Sequence, residues 1–202
     1  MLCTSSALHA NVQSYVKLDS TIITSQNSLK ILGFHFGQKP TIDIQVEEMS
    51  RKFRRRVWIL RHLKKAGIPH ADLVKLYMSL VLPVLDYSAV VYHSMLSLTQ
   101  EAELESLQKL ALKFIYGVTG VSYDVLLSKA GIQTLKERRL RLVDKFILKS
   151  VEHPIYTNWF PTRNFIHYDL RHEKIYEERR TRTNRLYKSP LYFFRRRLNH
   201  IS

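Results

Sequence analysis

The feature that most constrains this chain is a helical repeat of apolar residues that begins just after Pro40. A glycine, Gly67, stands where such a helix commonly ends. We therefore predict a long helix that starts near Thr41 or Asp43 and ends at Gly67. Between these points apolar side chains recur at steps of three and four, which is typical of one buried helix face: Val46, Met49, Phe53, Val57, Leu60 and Leu63.

The other faces of this predicted helix are cationic. Residues 41–66 carry a net charge of +5, whereas residues 67–130 carry −2 and the whole chain carries +15. After Glu48 the i,i+4 acidic partners that a solvated helix normally has are nearly absent. Two interpretations stay open, an ordinary solvated face or a surface that binds phosphates. The side chains assigned to the phosphate surface are Arg51, Arg54, Arg55, Arg61 and Lys65.

Two further helices are predicted by apolar periodicity and by residues that begin or end helices. Pro69 opens the first of them, and Pro83 should kink or divide it because proline lacks the backbone N–H that the helix needs. Ser97 or Thr99 caps the next helix, which stops at Gly117.

The remaining helices complete a mainly α fold of about five helices. A short one spans residues 122–131, and Thr134 begins a longer one that Pro154 ends. We predict that the helices pack around these residues: Phe53, Trp58, Leu76, Leu80, Phe114 and Phe146.

The residues before Pro40 have a β-like composition. Residues 15–36 contain two or three short runs rich in Val, Ile, Thr, Tyr and Phe, which predicts a small N-terminal antiparallel β-hairpin. Gly33 falls inside the last run, where glycine usually marks a bulge or a close backbone approach. The predicted organisation is therefore a β segment at 1–39, a helical region at 40–153 and an appendage at 154–202.

The appendage mixes arginine with aromatic residues and has little clear period. We predict a partly extended segment with a short helix at residues 191–198. Arginine pairs with phosphates and stacks on bases, and aromatic rings offer stacking platforms. The other interpretation is that the aromatics dock on the core. The arginines assigned to nucleic-acid binding are Arg179, Arg180, Arg182, Arg185, Arg195, Arg196 and Arg197.

Several other classes of protein are disfavoured. The lone Cys3 excludes a disulfide framework and a cysteine-based zinc site, and the scattered histidines form no metal-ligand pattern, so we expect no metal or cofactor. Asp86 and Asp124 are isolated acids for which capping or pairing is expected rather than acid–base catalysis. No run reaches the roughly 20 apolar residues of a membrane span, and the N-terminus is not that of a signal peptide. We expect an intracellular protein, nuclear or cytoplasmic.

The order of the motifs resembles one family. The segments "SLKILGFHFG", "LVKLYMSLVLPVLDYSAVVYHS", "LTQEAELESLQKLALKFIYG", "SYDVLLSKAGIQTLKERRLRLVDKFILK" and "TRTNRLYKSPLYFFRRRLN" follow one another along the chain. Together they resemble the C-terminal part of reverse transcriptases from non-LTR (LINE-type) retrotransposons, over roughly residues 14–200. The chain departs from that family at Tyr92-His93, where a tryptophan is common.

The resemblance implies roles for particular segments. Leu32, Gly33 and Phe34 would match the hairpin that grips the primer end, and the basic helix would match the thumb over the template–primer duplex. The family's polymerase activity requires a palm motif with two adjacent aspartates that hold metal ions. The 202 residues contain no Asp-Asp pair. We therefore expect a truncated or partial element that comprises the end of the palm, the thumb and the following region.

The sequence thus predicts a non-catalytic fragment that binds RNA or an RNA–DNA hybrid through phosphates with little sequence preference. Two alternatives remain open. One is a helical protein-interaction or structural domain whose charge reflects ancestry alone. The other is part of a complete RNA-directed DNA polymerase whose palm is missing from this chain.

Overall fold

The computed structural model separates into two compact units, Met1–Glu48 and Met49–Ser202. The structure describes residues 15–19, 21–24, 28–37, 42–162, 175–178 and 180–201. The described part is mainly helical, as predicted, with short antiparallel β-hairpins near the N-terminus.

The first unit contains two hairpins where we predicted one. Strands β1 (Tyr15–Leu18) and β2 (Thr21–Thr24) pair antiparallel, and so do β3 (Ser28–Ile31) and β4 (Phe34–Gly37). Each hairpin forms its own two-stranded sheet within the described residues. The last β-like run in the sequence, which contains Gly33, therefore forms both strands of a second hairpin.

The second hairpin turns at Leu32 and Gly33 rather than at a bulge. Their φ angles are +49° and +81°, which is the conformation of a two-residue type I′ turn and explains the glycine. Leu32 is 87% exposed at the tip, whereas Phe34 is buried and lies 4.9 Å from the ring of Phe36. Of the two interpretations of Gly33, a bulge or a close backbone approach, the bulge is wrong because the turn, and not the strand, needs the positive φ.

The long basic helix, α1, covers Asp43–Lys65, which confirms its prediction. Five members of the predicted apolar stripe are buried, and Leu63 is half-buried. In the second unit Phe53 packs edge-on against Tyr77, with ring centroids 6.2 Å apart. The stripe was therefore identified correctly from periodicity alone.

The next predicted helix is divided before Pro83, as expected. Helix α2 (His70–Leu76) continues into a π-helical turn (Tyr77–Val81) and then into α3 (Pro83–Asp86). The wider turn accommodates a residue that cannot donate a backbone hydrogen bond. A short α4 (Ala89–Tyr92) follows, entered through Ser88 at φ +60°.

Helices α5 (Leu98–Tyr116), α6 (Tyr123–Ala130) and α7 (Leu135–Val151) confirm the rest of the helical prediction. Ser97 and Thr134 each form a reciprocal capping box with the side chain three residues later. Gly117 ends α5 in the left-handed conformation that glycine adopts readily.

The C-terminal region adds two helices, α8 (Asn184–Tyr187) and α9 (Pro190–Ile201), after a 3₁₀ helix (Pro154–Trp159). The described residues therefore hold nine α-helices, and the predicted count of about five was too low. The difference arises because the π turn and Ser88 divide one predicted helix into α2, α3 and α4, and because α8 was not predicted. Helix α9 contains the short helix that was predicted at residues 191–198.

Part of the predicted core is misplaced. Trp58 is 60% exposed and Leu80 is 49% exposed, whereas Phe53 is fully buried. Trp58 is one residue past the stripe position Val57, so the 100° helical step turns it away from the buried face.

The aromatic end of the chain docks on α7. Phe194 and Leu198 of α9 form one buried cluster with Val143 and Ile147. This arrangement favours the interpretation in which the C-terminal aromatics pack on the core. The domain boundaries predicted from sequence stay predictions.

Within the described ranges, no single helix is both long and apolar enough to cross a bilayer. The segments His70–Asp86 and Ala89–Met95, bent by 48°, satisfy length and composition only when they are taken as a pair.

Candidate nucleic-acid interface

The cationic side chains of α1 are exposed to solvent. This holds for all five residues that the sequence assigned to a phosphate surface: Arg51, Arg54, Arg55, Arg61 and Lys65. They are exposed because the apolar stripe fixes the buried side of the helix, and the polar positions must then face outward. The structure thus brings the five predicted residues onto one helix.

Arg54 is the member of this set that pairs with a carboxylate in the described part of the second unit. Its Nη2 atom lies 3.6 Å from Oε1 of Glu103, and the two side chains are 60% and 45% exposed. Ser50 donates a hydrogen bond of 3.3 Å to the same carboxylate. An ion pair this exposed and this long contributes little to stability and leaves the guanidinium accessible.

Arg51, Arg55 and Lys65 have no carboxylate within ion-pairing distance among the described residues of the second unit. Arg61 lies against an aromatic ring instead, with its guanidinium carbon 5.6 Å from the centroid of Phe114. These cations stand close along one helix without neutralisation, which raises the positive potential at this surface.

Two neighbouring cations of α1 have structural roles. Lys64 donates a hydrogen bond of 2.8 Å to the backbone carbonyl of Phe114, near the C-terminal end of α5 where carbonyls lack helical partners. Arg56 donates to the backbone carbonyl of Leu80. Neither residue was assigned to the phosphate surface. Their hydrogen bonds to backbone carbonyls agree with leaving them out of it.

A groove lies between α1 and α5 beside the exposed cations. Its volume is about 170 Å³, and Arg54, Trp58 and Arg61 form its rim. The rest of its lining is apolar: Phe53, Val57, Leu107, Leu110 and Phe114. An exposed tryptophan at an apolar groove between two arginines is a combination that base-stacking surfaces use.

A second cavity of about 500 Å³ adjoins the first and shares Arg61, Leu110 and Phe114 with it. It adds three lysines, Lys64, Lys65 and Lys113, while no aspartate or glutamate lines it within the described part of the chain. The groove is therefore continuous with a cationic surface at the ends of α1 and α5.

Two of the predicted C-terminal arginines have structural contacts. Arg195 is only 8% exposed, and its Nε donates to the carbonyl of Trp159 at 2.7 Å. Arg197 binds Asp144 through two hydrogen bonds of 2.7 and 2.9 Å. Their interpretation as exposed phosphate-binding residues is not supported by this geometry, because the Trp159 carbonyl engages Arg195 and Asp144 of α7 engages Arg197.

The other C-terminal arginines differ in position. Arg180, Arg182 and Arg185 are exposed, whereas Arg196 stacks on Tyr187 at 3.7 Å and donates to its carbonyl. Arg179 lies outside the described residues. Arg180 and Arg196 line a further cavity of about 320 Å³ together with the carboxylate of Glu178, which reduces its positive charge.

The three residues matched to the primer-grip hairpin all lie in the β3–β4 hairpin. Leu32 and Gly33 form the exposed tip of the β3–β4 hairpin, and Phe34 is buried behind it. The tip is therefore accessible to a ligand, while Phe34 acts as a packing residue of the first unit.

Sequence reasoning missed Trp58 and Lys113 as members of the surface. Trp58 was placed in the core because of its residue type, although its helical position next to Val57 indicates exposure. Lys113 lies on α5, and only the packing of two helices brings it near Lys65. No local sequence signal predicts that proximity.

Among the described residues no three histidine, cysteine or acidic side chains are arranged to hold a metal ion. Asp86, one of the isolated acids, forms an ion pair with Arg138, as expected for a structural residue.

Comparisons with protein-family models, with curated proteins and with solved structures found no match.

Proposed function

We propose that this protein binds RNA or an RNA–DNA hybrid through phosphate contacts with the cationic face of α1. The observation that carries the proposal is the exposure of Arg51, Arg55 and Lys65 without acidic partners in the described part of the second unit. Exposed like charges on one helix repel one another, and a polyanion relieves that repulsion.

The dimensions and chemistry of the surface suit a nucleic-acid backbone. From Arg51 to Lys65 the helix extends about 21 Å at 1.5 Å per residue, enough to meet several phosphates. Arginine presents a planar fork of donors that matches phosphate oxygens. Contacts of this kind position a nucleic acid without reading its sequence, so little sequence preference is expected.

We propose further that the chain is a catalytically incomplete fragment related to non-LTR reverse transcriptases. The support is the order of motifs, the basic helix that follows a Leu-Gly hairpin, and the lack of an Asp-Asp pair in the 202 residues. In this proposal α1 corresponds to the thumb helix, and the chain binds nucleic acid without polymerising it.

The first test is the salt dependence of binding. Fluorescence anisotropy with labelled RNA and with an RNA–DNA hybrid should give affinities that fall as salt rises. Five phosphate contacts on a duplex predict a slope of log affinity against log salt of about −4 to −5. Affinity that does not change with salt would contradict the proposal, as would capture of a protein partner with no binding to either nucleic acid.

A charge-reversal variant with a matched control locates the surface. The test variant carries Arg51→Glu, Arg55→Glu and Lys65→Glu. The control carries Arg141→Glu, Lys145→Glu and Lys149→Glu, which reverses three exposed charges on α7 and changes the net charge equally.

The test variant should bind much more weakly, and the magnitude of its salt slope should decrease by about three. The control should keep the wild-type slope, and thermal unfolding of both should stay near wild type because surface changes alter stability little. Equal losses of binding in the two variants would indicate that net charge, and not α1, governs the interaction.

A further inference from the structure

We infer that the groove between α1 and α5 holds an unpaired base stacked against Trp58, so that the protein prefers single-stranded over fully paired nucleic acid. This inference rests on the proposed function and specifies its ligand.

The first observation is the position of Trp58. Its side chain is 60% exposed at the rim of the groove, although a tryptophan buries a large apolar area when it is packed. The ring of His62, one turn further along α1, lies 3.8 Å from the indole and supports it from the same helix. The indole is therefore held at the surface and stays available to a planar ligand.

The second observation is the arrangement of charge around the indole. Arg54 and Arg61 stand about one turn before and after Trp58 and line the same groove. Phosphates lie on both sides of a base along a strand, so a base at Trp58 would bring its flanking phosphates toward these guanidinium groups. No carboxylate lines the groove within the described residues, and the nearest one shown beside it is that of Glu103, 3.6 Å from Arg54.

The third observation is the apolar floor. The groove offers Leu110 and Phe114 to a ligand, and its polar groups come from the two arginines at the rim. Such a floor lacks side chains that pair with base edges, so it favours stacking on any base over reading a particular one. Its volume of about 170 Å³ accommodates one planar ring system and not a helix.

Together these observations favour an unpaired nucleotide as the ligand of the groove. In a duplex the bases are stacked inside and leave only phosphates for α1, whereas an unpaired base can enter the groove. A partner protein would place an apolar side chain there, but the cations at the rim and along the adjoining surface complement a phosphate backbone.

Tryptophan fluorescence tests the stacking directly. The chain has two tryptophans, so Trp159→Phe leaves Trp58 as the single tryptophan, which is excited selectively over the tyrosines. This variant is titrated with a uridine oligonucleotide, with an abasic oligonucleotide of the same length, and with a blunt RNA duplex. We expect quenching by the uridine oligonucleotide only, because the abasic strand carries phosphates without bases. Equal quenching by the abasic strand would overturn the inference.

Affinity measurements on Trp58→Ala give a second test, with Ile59→Ala as the control. Both residues are exposed and apolar on α1, and Ile59 does not line the groove. Trp58→Ala should weaken binding of the uridine oligonucleotide by about 5- to 150-fold, the loss expected for one base stack. It should leave the affinity for blunt duplex and the salt slope unchanged.

The two proposals fail in different ways. If neither the abasic strand nor the duplex binds with a salt-dependent affinity, the phosphate surface itself is refuted. If both bind but Trp58→Ala behaves like Ile59→Ala, the phosphate surface stands and base stacking is refuted.

Discussion

Arg138 of α7 binds Asp86 of α3 through two parallel hydrogen bonds. The Nε atom donates to Oδ1 at 2.8 Å, and Nη2 donates to Oδ2 at 2.7 Å. The side chains are 28% and 21% exposed, so water screens the pair only in part. The hydrogen bond to Asp86 raises the pKa of Arg138, and the pair joins two helices through residues that are 52 positions apart in sequence.

Asp86→Asn should destabilise the fold by about 1–3 kcal/mol, because the guanidinium loses its charged partner while it stays half-buried. Urea unfolding measures the change. Asp72→Asn is the matched control, since Asp72 pairs with Lys75 at 3.0 Å on an exposed surface and should contribute less than about 1 kcal/mol. A larger loss in the control would refute the structural role of the α3–α7 pair.

His93 gives the fold a specific acid sensitivity. Burial, together with the positive charge of the buried Arg139, lowers its pKa from 6.5 to about 4 against the opposite effect of Glu101. The unfolded chain therefore binds a proton at His93 in a range where the folded chain does not. This contribution to stability is complete above about pH 6.5 and is lost as pH falls toward 4.

His93→Phe should remove that contribution to acid sensitivity. Phenylalanine keeps an aromatic ring near Phe193, whose centroid lies 5.3 Å from the imidazole, and it does not titrate. As pH is lowered from about 7 to 4, the wild type should lose more unfolding free energy than the variant does. The extra loss should be at most about 3 kcal/mol. Urea unfolding curves of both proteins at a series of pH values measure this difference. If the unfolding free energies of wild type and variant change in parallel with pH, His93 does not control the loss.

Local signals account for the parts of the fold that the sequence predicted. The capping boxes of Ser97 and Thr134 and the glycine at 117 act within a few residues, so they determine the ends of α5 and α7 without help from the rest of the chain. The apolar stripe of α1 is also a signal within one segment of the chain. Because it determines which face of the helix is buried, it also determines that the cations on the other side are exposed. This is why the predicted phosphate residues of α1 were placed correctly at the surface.

The features that sequence analysis missed depend on contacts between distant residues. Leu80 lies within the π turn, which changes the helical phase that a 3.6-residue period assumes. Phe194 is buried because α9 packs on α7, and Arg195 is fixed by the Trp159 carbonyl 36 residues earlier. The groove at Trp58 needs α5 beside α1, so its cationic rim and apolar floor could not be derived from either helix alone.

The C-terminal arginines should separate into a structural and a surface class. Arg195→Ala removes a buried hydrogen bond of 2.7 Å and the packing of the side chain's aliphatic part, so it should destabilise by about 1–3 kcal/mol. Arg185→Ala changes an exposed residue and should alter stability by less than about 0.5 kcal/mol. Chemical unfolding of the two variants tests the assignment, and a smaller loss for Arg195→Ala than for Arg185→Ala would refute it.

The carboxylate of Glu103 should lower the affinity of the protein for nucleic acid. Its carboxylate lies 3.6 Å from Arg54 at one end of the α1–α5 groove, where it attracts the guanidinium and repels an incoming phosphate. Glu103→Gln removes that charge and can keep the hydrogen bond from Ser50. At an exposed site the interaction is worth about 1 kcal/mol at most, so affinity for RNA should rise by up to about fivefold.

The control for this variant is Glu152→Gln, which removes the same charge from an exposed position at the end of α7. At physiological salt, exposed charges are screened beyond about 8 Å, so a change of net charge alone should have little effect. Anisotropy titrations at one fixed salt concentration compare the two variants with wild type. An increase confined to Glu103→Gln locates the phosphate path beside Arg54. Equal increases in both variants would instead indicate a diffuse attraction to the whole basic chain.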